Sequence, residues 1–158
     1  MEINILIGEG FEGCLEASRL NSVVESVLSA QNAGSNVELS LVITGQEVVQ
    51  QLNKIYRGKD ESTDVLAFSM VPAGQEPGAP PFVMPPDGVA HLGEVIISYP
   101  QAVIQAKERQ HPVDREIAIL IIHGVLHLLG YEHDKPDLER QMRGREKEIL
   151  SSIERVDE

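Results

Sequence analysis

Residues 123–134 read HGVLHLLGYEHD and hold three of the five histidines of a 158-residue chain. On a helix, residues four apart lie on one face about one turn along the axis, so His123 and His127 can aim ring nitrogens at a common point. Gly130 lets the chain leave that helix, and His133 can then approach the same point from a turn. Three imidazoles make a tripod with a fourth position open. Catalytic zinc sites use this arrangement, whereas structural zinc sites close with four protein ligands and usually include cysteine. Burying three histidines among Ile, Val and Leu with nothing to satisfy them would cost several kcal/mol, which disfavours reading them as ordinary packed residues. One zinc ion per chain is the first expectation for three imidazoles, with nickel, iron and copper compatible by ligand type. His91 and His111 lie far from this cluster in sequence and are not needed as ligands.

The spacing H-x-x-x-H-x-x-G-x-x-H is also the ligand skeleton of the metzincin peptidases, whose general base is a glutamate directly after the first histidine. Here that residue is Gly124. Glycine cannot take up a proton, so the usual peptidase mechanism lacks its central group. Glu132 is the local substitute, as a base or as a partner that orients a ligand; an ordinary solvated glutamate is an equal reading of it. Cys14 is the only cysteine. It excludes an intramolecular disulfide, agrees with a reducing cytosol, and reads as small core filling on a helix face.

The elements that must position these residues follow from periodicity. EINILI at the amino terminus reads as a buried strand and not an export signal, because it carries an acidic residue and its apolar run is short. Apolar residues three and four apart predict an amphipathic helix over Phe11–Gln31. VELSLVIT predicts a second strand, and Thr44 with Glu47 has the form of a capping box opening a helix over Gln46–Ile55. DVLAFSM (Asp64–Met70) and LGEVIIS (Leu92–Ser98) predict two more strands. Between them the Pro- and Gly-rich stretch 71–88 cannot sustain a regular element and reads as an excursion from the fold. A polar-faced helix over Tyr99–Gln110 ends at the His111-Pro112 breaker. The next helix carries Asp114 and Glu116 at its positive end and is apolar nearly all round from Ile117. A charged surface helix over Pro136 to about Ile153 closes the chain. The expected fold is α/β (α+β): residues 1–158 as a single domain, with a small mixed four-stranded sheet, about five helices and a buried central helix carrying the metal ligands.

The net charge is −12, the wrong sign for indiscriminate nucleic-acid binding. Its distribution is uneven: residues 1–53 hold seven Glu and one Arg, whereas KIYRGK holds Lys54, Arg57 and Lys59 without an acid. That is either a local basic strip on an acidic body or a plain solvated loop. The longest apolar stretch, Ile117–Gly130, falls short of the ~20 residues of a bilayer span, so no membrane association is expected.

Three ordered segments together resemble the YbeY family of bacterial endoribonucleases and ribosomal-RNA maturation factors. HGVLHLLGYEHD follows the family's H-G-x-L-H-L-x-G-Y-D-H, LNKIYRGKDESTDVLAFSM follows its L-N-x-x-Y-R-x-K-D-x-P-T-D-V-L-S-F, and HLGEVIIS follows its L-G-D-I-x-I-S strand. Glu132, Ser62 and Glu94 stand where the family commonly has Asp, Pro and Asp, and the 71–88 excursion is longer than the family leads one to expect. The resemblance implies a cytoplasmic, zinc-dependent single-strand-type endoribonuclease acting in small-subunit rRNA 3′ end maturation and in ribosome assembly or quality control. His123, His127 and His133 would be its zinc ligands and Arg57 its functionally important arginine. Its partners would be ribosomal RNA and the ribosome or an assembly protein. The chemistry is consistent with this: zinc lowers the pKa of water toward ~7, and a planar guanidinium at Arg57 can clamp the charge that builds on a phosphodiester. Lys54 and Lys59, with Arg57, would bind backbone phosphates without reading sequence. Two other readings stand beside it, a metzincin-like metallopeptidase and a non-catalytic ribosome-assembly factor with a stabilising metal.

Overall fold

The computed structural model describes residues 1–33, 36–70, 89–131 and 135–156. The 71–88 excursion, Glu132 and His133 lie outside the described residues. In chain order the elements are β1 (Glu2–Ile7), α1 (Ala17–Ala30), β2 (Val37–Thr44), α2 (Gln46–Arg57), β3 (Val65–Ser69), β4 (Ala90–Ser98), α3 (Tyr99–Glu108), α4 (Val113–Leu128) and α5 (Pro136–Val156). The strands form one sheet in the order β1-β2-β4-β3, with β1, β2 and β4 parallel and β3 antiparallel on the β4 edge. A mixed four-stranded sheet with five helices is the α/β class expected from the sequence.

β2 alternates buried and half-buried residues along its whole length, because its two faces meet different layers. Leu39, Leu41 and Ile43 enter the main core with α1, α4 and α5, while Val42 packs on the opposite face with Val49 and Leu52 of α2. β3 divides likewise. Val65 and Ala67 face the main core, and Leu66 and Phe68 face α2.

α4 is the central helix, in contact with α1, α3, α5, β3 and β4. Its start is fixed by a buried carboxylate: Glu116 is 0% exposed, Arg109 Nη1 donates to its Oε2 at 3.0 Å, and His111 Nε2 lies 2.6 Å from its Oε1. Glu116 is therefore an internal anchor, beyond the helix-dipole role its position suggests, and His111 is its partner. Further along, a Cβ placed on Gly124 would lie 2.5 Å from Cγ1 of Val95, itself fully buried. The missing side chain lets α4 lie directly on β4.

Several sequence expectations change. α1 begins at Ala17, not Phe11, because Glu12–Cys14 form a turn; Cys14 is exposed there and fills no core. β1 is a half-buried edge strand, with Leu6 60% exposed, and not a buried one. The Thr44–Glu47 capping box does not form: Thr44 stays in β2 paired with Ser98, and Gly45 becomes the N-cap without a side-chain bond. α5 is charged but not merely superficial, since Met142 and Ile149 are buried in the main core. Among the described residues no helix is long and apolar enough to cross a membrane.

Candidate functional site

Near its carboxyl end α4 presents His123 and His127 side by side. Their Nε2 atoms lie 3.2 Å apart and their ring centroids 4.7 Å apart, with the planes inclined at 76°. Two nitrogens bound at ~2.0–2.1 Å to one tetrahedral metal sit ~3.3 Å apart, so the pair already has the spacing of ligands to a shared ion. The other ring nitrogen of His123 is held from α5: Nδ1 lies 2.7 Å from Oε1 of Glu146. With the proton on Nδ1, His123 donates a hydrogen bond to the carboxylate and carries its lone pair on Nε2, the atom nearest His127. Carboxylates hold metal-binding histidines in this way, fixing the ring and raising its basicity. Among the described residues no group of three or more His, Cys, Asp or Glu converges. The donor chemistry and spacing of the pair fit a metal.

The histidines open into a cleft of about 230 Å³ lined also by Arg57, Thr63, Asp64, Val65, Ala67 and Gly124. Arg57 is the last residue of α2, which stops there because Gly58 turns to φ +71. Its Nη2 donates to the Ala67 carbonyl of edge strand β3 at 3.3 Å. The loop beyond is pinned by Asn53, 4% exposed: its Nδ2 donates to the Glu61 carbonyl, and its own carbonyl accepts from Lys59 N. Asp64 lines the cleft, but its carboxylate accepts from Val65 N at 2.8 Å and Gln105 Nε2 at 3.2 Å. These bonds tie it to the start of β3 and to α3.

The family model for Endoribonuclease YbeY matches residues 14–154. The chain belongs to the YbeY family. A relative described as Endoribonuclease YbeY from Dehalococcoides mccartyi (strain ATCC BAA-2266 / KCTC 15142 / 195) is 46% identical, covering 99% of this chain and 92% of its own. A relative of the same description from Roseiflexus sp. (strain RS-1) is 38% identical, covering 96% of this chain and 92% of its own. The solution structure of TM1509 from Thermotoga maritima superposes with a TM-score of 0.58 at 21% identity, covering 98% of this chain and 93% of that one, and shows the shared fold.

In this YbeY-family chain the fold brings Arg57, His123 and His127 to one cleft. Lys54 and Lys59 flank Arg57 in sequence and are exposed without lining the cleft. The basic strip is less free than its sequence suggests, because Asp60 folds back to within 3.9 Å of Lys54 Nζ. His91 pairs with Glu38 at 3.3 Å across β2 and β4, and His111 serves Glu116; neither lines the cleft. Sequence reasoning missed Glu146. It lies in the run RGREKEIL, where nothing in composition or period separates it from its charged neighbours.

Proposed function

We propose that the chain is a zinc-dependent endoribonuclease that cuts single-stranded ribosomal RNA in the cytoplasm, at the 3′ end of the small-subunit precursor. The reading is supported above all by two imidazole nitrogens 3.2 Å apart, backed by a carboxylate, in a cleft shared with an arginine. His123, His127 and His133 would hold the ion, which when bound supplies Lewis-acid activation of water at neutral pH. Glu146 keeps a proton on Nδ1 of His123 and the Nε2 lone pair available. Arg57 exchanges its bond to the Ala67 carbonyl for bonds to the non-bridging oxygens of the scissile phosphate, where charge grows as the bond breaks. Lys59, and Lys54 once it leaves Asp60, hold flanking phosphates.

A peptidase reading gains no support from the fold. The position that carries the metzincin base is Gly124, and Val95 occupies the space into which a side chain would grow. The acidic body suggests that a ribosome or assembly protein delivers the substrate, so that binding does not rest on bulk charge.

Cleavage of an end-labelled small-subunit rRNA precursor fragment tests the reading. Zinc-loaded protein is expected to cut a single-stranded segment and chelated protein is not. Arg57→Ala should lower the rate about tenfold, the lower end for losing a hydrogen bond to a charged group. Undiminished cutting by the chelated protein and by Arg57→Ala would refute it, as would no cutting even when ribosomal subunits are present. Separately, Glu146→Ala is expected to weaken zinc binding by ~10- to 100-fold in a chelator competition, with the melting temperature of the metal-free protein little changed.

A further inference from the structure

Among the described aromatic residues Tyr56 alone is exposed, at 67%, while Phe11, Phe68, Tyr99 and Tyr131 are half-buried. Its ring is not loose. Phe68 meets it edge-on, with centroids 5.3 Å apart and planes at 61°, and Phe68 is seated on the buried Val49–Leu66–Ile96 cluster beneath α2. An exposed tyrosine held by a seated phenylalanine is a firm apolar surface beyond what the described residues of the fold bury.

Its surroundings select an occupant. Lys54, Arg57 and Lys59 bracket Tyr56, and although Asp60 lies 3.9 Å from Lys54 and Glu61 follows, the segment 54–61 keeps a positive balance in a chain of net charge −12, which favours an anionic occupant. The patch borders the cleft across the edge of β3: Phe68, and Tyr56 with it, lie on the α2 side of that strand, and Val65 and Ala67 line the cleft on the other. Arg57, next to Tyr56, and Ala67, next to Phe68, both line the cleft and are bonded to each other across the β3 edge. A polymer that crosses this edge with its phosphate at Arg57 brings its neighbouring unit to Tyr56. The unit that combines a phosphate with a flat, stackable face is a nucleotide.

We infer that Tyr56, backed by Phe68, is a stacking subsite for one unpaired nucleobase adjoining the phosphate at Arg57. The inference rests on the endoribonuclease reading and adds to it a physical basis for choosing single strands. A base within a duplex has both faces covered by its neighbours and cannot lie on the ring, whereas a splayed base can.

The chain contains no tryptophan, so Tyr56→Trp would install its only indole at the subsite. Zinc-loaded, full-length Tyr56→Trp is titrated with a short single-stranded oligoribonucleotide and with the blunt duplex of the same sequence, binding being followed independently by anisotropy of the labelled RNA. The single strand is expected to quench the indole and the duplex is not. Tyr56→Ala should weaken single-strand binding by roughly fivefold or more, the lower end for losing one stacked base, and raise KM more than it lowers kcat; Tyr56→Phe restores binding. Circular dichroism and melting of each variant guard against misfolding. Bound single strand with an unquenched indole, or equal affinity of Tyr56→Ala and the parent, overturns the subsite while leaving RNA cleavage by the parent intact. Failure of the parent protein to bind or cut single-stranded RNA at all would remove the endoribonuclease reading and the subsite with it.

Discussion

His127→Ala is expected to lower RNA cleavage by more than ~100-fold and to resist rescue by added zinc. Loss of an outer partner such as Glu146 costs ~10- to 100-fold in metal affinity or activity, and loss of a direct donor must exceed that. His127 supplies one of two Nε2 atoms 3.2 Å apart, so in the proposed function its removal would leave only one donor of that pair. Excess metal can compensate for a weakened ligand, as expected for Glu146→Ala, but cannot replace a missing one. The comparison is made on end-labelled rRNA precursor, with zinc content measured on the same preparations and all variants purified identically to expose contaminating nuclease. Because His127 is only half-buried at the end of the helix, the metal-free variant should melt close to the metal-free parent. Wild-type cleavage by His127→Ala would place the chemistry elsewhere.

Gly93→Ala should be the most damaging small substitution in the sheet. Gly93 sits at φ +130, where the register between β2 and β4 shifts. A Cβ there would lie 2.0 Å from the Phe68 carbonyl oxygen and 3.2 Å from Cδ2 of Leu128. The first obstacle is backbone and cannot swing aside. Strain of ~1–3 kcal/mol for the positive φ adds to the steric clash, giving a loss of about 3 kcal/mol or more. For a chain of this length that corresponds to a fall of roughly 6–12 °C in melting temperature, read by circular dichroism or calorimetry. An unchanged melting temperature would mean that β3 and β4 are not packed as described.

The part of the site carried by one helix was legible in the sequence. His123 and His127 share a face because they are four apart, and the apolar run around them marks α4 as the buried helix. What was not legible depends on contacts between distant segments. Glu146 reaches His123 from a different helix, and only the packing of α5 on α4 brings them together. The antiparallel insertion of β3 at the edge next to β4 is likewise a long-range fact. Local patterns misled where tertiary pairing took precedence over them. Thr44 had the right residues around it for a cap but is held in the sheet by Ser98, and Glu116 looked like a dipole partner but is an internal anchor. At Gly124 the sequence shows that no base is present, and the structure adds that Val95 fills the space a side chain there would need.

The position of α4 also bears on how long the half-site persists between turnovers. A helix in contact with three other helices and two strands is expected to be among the last regions to open in native-state hydrogen exchange. His123 and His127 are thus expected to sit on one of the slower-exchanging of the described segments. Arg57 is at the frayable end of a helix with one exposed flank, so its opening free energy is set locally. The two halves of the cleft consequently run on separate clocks. The donors keep their mutual spacing for as long as the protein remains folded, while the guanidinium can exchange partners many times within that lifetime.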